Sequence, residues 1–261
     1  AVNTIVKTSH GKLMGYNTDG EGFVASVLKR QPDRRASFLS SFNAMNVLLL
    51  GAGGSARAVA FHVADEMAGG KLLLCNRTGE AAASLAREIQ KTGKDALAIN
   101  EEELSYWAPK LGLVINSTTK GQGGIRTMPN GTATLLEPYS ALAPAHPPLL
   151  AASEFDPDGY EEQWQRTARA DIEANHRASM ELAQSIPPEA GFYDLIYHPQ
   201  ETVFIRHGKV TGHSTMNGRA MIINQAVLAL EHICKTQIQD RTIDTRKIYQ
   251  ELLEAMYSAW S

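Results

Sequence analysis

The sequence predicts an α/β fold with a doubly wound parallel sheet. Two observations predict it: apolar runs of strand length alternate with helix-length segments, and a glycine-rich turn joins one of those strands to the helix after it. With 261 residues, 43% of them hydrophobic and 20% charged, the chain is long enough to bury a substantial core around such a sheet.

The first predicted elements are a hairpin and a helix. Two short apolar runs on either side of a Ser-His-Gly turn predict a hairpin over residues 4–16. Thr18 and Glu21 have the spacing of a capping box ahead of a helical apolar pattern, which predicts a helix from Thr18 that ends before Pro32. Residues 33–45 are predicted to form a linker.

The following segments predict the sheet itself. Continuous apolar runs predict buried strands over 46–50, 71–76 and 111–116, and residues 56–67 and 80–90 between them have the pattern of helices. Because strands that alternate with helices pair in parallel, these segments predict the first part of a parallel sheet.

The second half of the chain is less regular. Glycine and proline interrupt it after residue 118, and residues 160–184 are charged and helix-prone, so we expect an excursion at about 121–190 that carries one surface helix. The elements predicted after the excursion are strands at 192–197 and 202–205 and helices at 218–234 and 245–260.

Composition excludes several classes of function. With 25 Lys and Arg against 28 Asp and Glu the chain has no basic excess, so we expect no nucleic-acid partner. No apolar run approaches the roughly 18 residues of a membrane helix, so no membrane partner is expected. Cys75 and Cys234 lie far apart and the histidines have no ligand spacing, which predicts no metal site and a reducing, cytoplasmic location. The sequence contains no nucleophile-elbow motif, so nothing in it supports a hydrolase.

The glycine turn carries the form GxGxxA of the dinucleotide fingerprint. Gly51 permits the tight turn, Gly53 lets a pyrophosphate approach the backbone, and Ala56 permits close packing of helix and strand. The phosphates would lie at the N-terminus of the following helix, where free N–H groups and the helix dipole favour negative charge. The alternative is a glycine turn required only for packing.

The next predicted strand ends in Asn76-Arg77-Thr78, where folds that bind NAD place an acidic residue on the ribose. An arginine there can pair with the 2′-phosphate of NADP, and no acid follows until Glu80, so the sequence favours NADP. The alternative is a solvated arginine after a strand.

A second polar motif, Asn17 to Gly22, surrounds Asp19. The helix dipole alone explains an aspartate at the start of a helix, so a catalytic role for Asp19 competes with a purely stabilising one. For Asn3 the alternative to a functional role is a residue that only forms a turn. For Gln225 it is a buried amide whose hydrogen bonds are all satisfied.

Taken in order, these segments resemble the shikimate dehydrogenase family. The matching segments are Ala1 to Thr4, Gly15 to Gly22, Val47 to Ala60, Asn76 to Thr78, Ile115 to Thr118, Tyr193 to Pro199 and Asn217 to Ala226. The resemblance implies a Rossmann NADP-binding domain and the reversible, NADP-dependent reduction of 3-dehydroshikimate to shikimate in chorismate and aromatic amino acid biosynthesis. Quinate dehydrogenase is the alternative within the family, and a non-catalytic nucleotide-binding or regulatory relative is the alternative outside catalysis.

The resemblance also assigns residues to roles. It implies that Asp19 is one half of a catalytic Lys–Asp pair, and that Asn3, Asp19, Tyr197 and Gln225 contact a substrate of the shikimate or quinate class. The residues it implies for the cofactor are Gly51, Ala52, Gly53, Gly54, Ser55, Ala56, Asn76, Arg77, Thr78, Ser117, Thr118, Gly218 and Met221.

The chain departs from the family pattern in three places. Ala81 replaces a second basic residue near the 2′-phosphate, and residues 119–122 replace a Pro-Leu-Gly-Met-like segment. Ala1 falls inside a longer family motif, so we expect the catalytic lysine and the carboxylate-binding serines in an upstream substrate lobe, attached to or paired with this chain. Residues 1–19 and 217–261 would be the remnants of that lobe, and 20–216 the NADP-binding domain.

Overall fold

The computed structural model describes residues 2–8, 10–151, 159–239 and 245–260. It begins with an antiparallel hairpin of β1 (Thr4–Lys7) and β2 (Leu13–Tyr16), as predicted. Helix α1 follows over Asp19–Leu28. No helix of the described ranges is long and apolar enough to cross a membrane.

The predicted capping box at the start of α1 is wrong. Thr18 makes no side-chain cap to the helix, because its hydroxyl instead exchanges hydrogen bonds with Asn3, accepting from Nδ2 at 3.0 Å.

Two glycines bring α1 close to its neighbours. A methyl group on Gly20 would lie 2.5 Å from the carbonyl oxygen of Ala58, and one on Gly22 would lie 2.8 Å from the backbone nitrogen of Gln225.

Six parallel strands form the central sheet. β3 (Asn46–Leu50), β4 (Leu72–Cys75) and β6 (Leu111–Asn116) match the predicted strands closely, and the order across the sheet is β11-β10-β6-β3-β4-β5. This is the order of a doubly wound Rossmann sheet, so the predicted fold class is confirmed. The remaining strands are β5 (Ala96–Ile99), β10 (Gly191–Asp194) and β11 (Ser214–Met216).

Helices cover both faces of the sheet because the strand side chains alternate between two cores. Leu49 and Leu74 pack toward the first core, which includes side chains of α1, α2 (Gly54–Glu66) and α3 (Gly79–Gln90). Leu48 and Leu73 pack toward the second, beside α4 (Leu104–Trp107) and the helices of the second half. The strands are buried on both faces, which explains why their sequences are continuously apolar.

The excursion forms a small unit of its own. Three short antiparallel strands, β7 (Ile125–Thr127), β8 (Thr132–Leu135) and β9 (Leu150–Ala151), pair in one sheet. Helix α5 (Tyr160–Ser185) confirms the predicted helix, but it is not only a surface helix, since Trp164 is wholly buried in a third core.

The last segment contains one wrong assignment. Residues 202–205 were predicted as a strand, but they begin helix α6 (Val203–Val210), where the hydroxyl of Thr202 accepts a hydrogen bond from the backbone of Ile205 at 3.2 Å. The β-branched and aromatic residues at this helix start are typical of strands, which explains the error. Helices α7 (Arg219–Gln239) and α8 (Thr245–Ala259) follow. The division into a nucleotide domain and parts of a second lobe stays a prediction.

Candidate functional site

The candidate site lies at the carboxyl ends of β3 and β6, the neighbouring strands at which the strand order reverses. Open parallel sheets bind ligands at such a switch point. A cleft of about 370 Å³ is present there. Its lining residues are Asp19, Ser55, Ser117, Thr118, Gln122, Gly123, Leu195, Ile196, Tyr197, His198, Gly218, Met221, Ile222 and Gln225.

The two glycines of the fingerprint have different environments. Gly51 has φ +110°, and a methyl group on it would lie 3.0 Å from the backbone of Ser117, so the turn itself requires a glycine there. Gly53 has negative φ and no atom within 4 Å of the corresponding position. Since packing does not require a glycine at Gly53, the open space beside it fits the approach of a ligand.

Helix α2 begins directly behind this open space. Gly53 precedes its first residue, and no side chain caps the helix start. The backbone N–H groups of Gly54, Ser55 and Ala56 in the first turn have no partner within the helix. The turn therefore has the geometry of an anion site, and the residues present fit the pyrophosphate of a dinucleotide.

Asn76, Arg77 and Thr78 follow β4, one strand away from the glycine turn. The Asn76 side chain donates to the carbonyl of Thr78 at 3.0 Å and holds the turn, and Arg77 is exposed. Glu80 is paired with Arg87 at 2.6 Å. Arg77 has no ion pair within the described ranges, so its guanidinium is free to bind an anion. These three residues do not line the cleft.

Asp19 is the centre of a polar cluster at the cleft. Asn3 Nδ2 donates to Asp19 Oδ1 at 2.8 Å and to Gln225 Oε1 at 3.2 Å. Ser55 Oγ donates to Asp19 Oδ2 at 3.1 Å, and the backbone N–H of Asp19 donates to Asn17 Oδ1 at 3.0 Å. The structure thus brings together three of the residues that the resemblance implied for substrate, although they lie at both ends of the chain.

The opposite wall of the cleft comes from the segment after β10. The residues that line it are Leu195, Ile196, Tyr197 and His198, and Tyr197 is 45% exposed. Gln122 also lines this wall, from the loop after β6. It belongs to the segment that departs from the family pattern, and its side chain is an amide. Of these residues, only Tyr197 was predicted from the sequence; Gln122, His198 and their neighbours in this wall were not. The departure from the family pattern at 119–122 is the signal that could have identified Gln122.

A buried network behind the cleft holds the loop after β6. Asn116 Nδ2 donates to Asp194 Oδ1 at 2.9 Å, and Asn116 Oδ1 accepts from the backbone N–H and the hydroxyl of Thr118, both at 2.8 Å. Thr202 donates to Asp194 Oδ2 at 2.6 Å. Burial raises the pKa of Asp194 to about 7, although these hydrogen bonds lower it. The network fixes Ser117 and Thr118 against the glycine turn.

The site therefore combines an open anion-binding turn with a carboxylate that two side chains orient. In the described ranges no lysine lines the cleft, and no group of His, Cys, Asp and Glu is arranged to hold a metal ion. The arrangement can hold a dinucleotide and can accept a proton or a hydrogen bond at Asp19.

Residues 34–127 match the family model described as shikimate / quinate 5-dehydrogenase. The shikimate dehydrogenase (NADP(+)) of Carboxydothermus hydrogenoformans is 32% identical over 233 residues, which are 88% of this chain and 61% of that protein. The chain thus spans about three fifths of the length of this relative.

Solved structures show the same fold. A shikimate dehydrogenase in complex with NADP⁺ matches with a TM-score of 0.58 and 23% identity over 98% of this chain and 67% of that one. The quinate dehydrogenase from Corynebacterium glutamicum in complex with NAD matches with a TM-score of 0.60 and 21% identity, covering 97% and 68%.

Proposed function

We propose that this chain is a member of the shikimate / quinate 5-dehydrogenase family, binds NADP and forms the nucleotide-binding part of an oxidoreductase acting on shikimate. The single observation that carries this proposal is the hydrogen bond between Ser55 and Asp19, because it joins the anion-binding turn to the carboxylate of the cleft. The reaction is the reversible reduction of 3-dehydroshikimate to shikimate, a step of chorismate biosynthesis.

The preference for NADP rests on Arg77. Its guanidinium is exposed after β4, the nearest acid of the following helix is engaged by Arg87, and β4 is followed by Asn76 where folds that bind NAD place an acidic residue on the ribose. An arginine pairs well with a phosphate monoester because both carry full charge. The name of the relative from Carboxydothermus, which includes NADP(+), supports the same cofactor.

The cofactor supplies a carrier for the hydride that leaves or enters the ring carbon. The chain itself supplies Asp19, which accepts hydrogen bonds from Asn3 and Ser55 and remains at the surface of the cleft. An alcohol that becomes a ketone loses its hydroxyl proton, so a base at hydrogen-bond distance lowers the barrier. Asp19 takes this role together with a lysine, and Asn3 and Gln225 orient the substrate hydroxyls.

No lysine lines the described cleft, and this observation favours a second function for the chain by itself. Alone it binds NADPH without turnover, and the substrate lobe upstream supplies the lysine and the groups that hold the substrate carboxylate. The length that the relative has beyond this chain supports such a lobe. Quinate remains the alternative substrate, since the contacts that distinguish the two acids would lie largely in that lobe.

The test is calorimetric titration of the chain with NADPH, NADH and shikimate, with a spectrophotometric assay of NADPH formation from NADP and either shikimate or quinate. We expect binding of NADPH, weaker binding of NADH, and no NADPH formation until the upstream lobe is supplied. A chain that binds neither NADPH nor NADH would overturn the proposal. Shikimate-dependent turnover by the chain alone would instead contradict the assignment of the lysine to an upstream lobe.

A further inference from the structure

Tyr197 forms the aromatic part of the cleft wall and follows shortly after β10, and the residue is 45% exposed. A tyrosine in this position needs a neighbour to hold one side-chain conformation. The Trp260 ring provides that neighbour, with a centroid distance of 5.8 Å and an interplanar angle of 83°. This is the edge-to-face arrangement that aromatic pairs prefer.

Trp260 is held by the way α8 is attached to α7. Arg219 Nη2 donates to the carbonyl of Tyr257 at 2.9 Å, and its guanidinium lies 5.0 Å from the Tyr257 ring. The Tyr257 hydroxyl donates to Gln31 at 3.2 Å, and the Tyr249 hydroxyl donates to Asn224. These contacts hold α8 near both of its ends, and Trp260 directly follows the last residue of α8.

Helix α7 also lines the cleft, through Met221, Ile222 and Gln225. Because α8 is anchored to α7 and reaches Tyr197 through Trp260, it connects the two walls of the cleft. Tyr197 itself follows β10, on the side of the switch point away from Arg77. A dinucleotide that crosses the sheet from Arg77 past Gly53 places its nicotinamide end at that side.

We propose that Trp260 is a positioning residue, which holds Tyr197 in the wall of the cleft at the place where the nicotinamide end of the cofactor meets the substrate. The inference rests on the proposed function, because it requires that the nucleotide bind across the switch point. It adds that α8, which contributes no lining residue to the cleft in the described ranges, sets the shape of one of its walls.

The test compares two ligands that share the adenosine 2′-phosphate and differ in the nicotinamide half. We expect Trp260→Ala to weaken NADPH binding about three- to tenfold and to leave the affinity for 2′,5′-ADP unchanged. Trp260→Phe, which keeps an aromatic ring, should restore most of the NADPH affinity. Tyr106→Ala, which removes an exposed tyrosine paired with Trp107 outside the cleft, is the matched control and should change neither affinity.

A double-mutant cycle separates positioning from general destabilisation. If Trp260 acts through Tyr197, Trp260→Ala has no further effect on NADPH affinity in a Tyr197→Ala background. Additive effects of the two substitutions, equal losses for both ligands, or unchanged NADPH affinity in Trp260→Ala would overturn the inference while the wild-type chain still binds NADPH. A wild-type chain that binds neither ligand would overturn the proposed function and this inference with it.

Discussion

Ser55 Oγ lies 3.1 Å from Asp19 Oδ2 and donates a hydrogen bond to it. Ser55 belongs to the first turn of α2, and Asp19 begins α1. The anion-binding turn and the carboxylate of the cleft are therefore held at a fixed separation. A nucleotide bound at the turn and a substrate bound at Asp19 would meet in one geometry, which is what a direct transfer between them requires.

The two fingerprint glycines should respond differently to alanine. A methyl group at Gly53 meets no atom in the free chain, so Gly53→Ala should leave the free energy of unfolding unchanged. The same methyl group occupies the space into which a pyrophosphate approaches, so the affinity for NADPH should fall by about tenfold or more. Gly51→Ala should destabilise the chain by more than about 1 kcal/mol, because φ is +110° and the backbone of Ser117 lies 3.0 Å away.

Thermal unfolding and NADPH titration of both variants check this prediction. Normal NADPH binding by a stable Gly53→Ala variant would favour the alternative of a glycine turn required only for packing.

Arg77→Ala should weaken NADPH binding about ten- to a hundredfold, since a charged hydrogen bond contributes roughly 1.5 to 3 kcal/mol. NADH, which lacks the 2′-phosphate, should bind almost as before. Arg87→Ala removes an exposed arginine of α3 that is paired with Glu80, and it serves as the control for loss of positive charge. Equal losses for the two cofactors in Arg77→Ala would contradict the assignment.

Asp19→Asn keeps the size of the side chain and removes its charge. In a form of the protein that turns over shikimate, the rate should fall about a hundredfold or more while NADPH affinity holds, because the base that assists proton transfer is lost. The measurements are turnover, NADPH affinity and thermal unfolding of the same preparation. If turnover persists and stability alone falls, Asp19 serves the helix dipole and not the reaction.

Stability should depend on pH through two buried groups that act in opposite directions. Burial lowers the pKa of His207 to about 4, so between about pH 6.5 and 4 the unfolded chain takes up a proton that the folded chain does not, and stability falls as the pH falls. Burial raises the pKa of Asp194 to about 7, so between about pH 4 and 7 the unfolded chain loses a proton that the folded chain keeps, and stability falls as the pH rises.

Denaturant unfolding at several pH values should separate the two. Asp194→Asn leaves the His207 effect, so stability should rise by up to about 3 kcal/mol from pH 4 to 6.5. His207→Gln leaves the Asp194 effect and should reverse that slope. Parallel profiles for both variants would show that neither group controls the pH dependence.

The sequence predicted the centre of the sheet well because β3 and β6 are buried on both faces, so each appears as an unbroken apolar run. Strand β5 was missed, since it has only four residues and two of them are alanines, which are depleted in strands. The three short strands of the excursion were missed as well, because glycine and proline around them indicate loops. Tertiary pairing, not local pattern, decides such segments.

The candidate site was predicted only in part, for the same reason. The fingerprint and Arg77 are local signals next to strands, and they could be found in sequence. The contact of Ser55 with Asp19 joins residues 36 positions apart, and that of Asn3 with Gln225 joins residues 222 positions apart. No periodicity encodes such contacts, and the resemblance to a family was what brought Asn3, Asp19 and Gln225 together.

Because of the glycines of α1, one side of the cleft is more rigid than the other. At Gly20 the backbone of α1 packs against His62 and the Ala58 carbonyl of α2, and at Gly22 it packs against the backbone of Gln225 in α7, so the three helices have little room to slide past one another. Asp19, Ser55 and Gln225 therefore lie on one rigid group of packed helices. Any tightening of the cleft around a bound molecule has to come from the opposite side, where Gln122 is carried by the loop after β6.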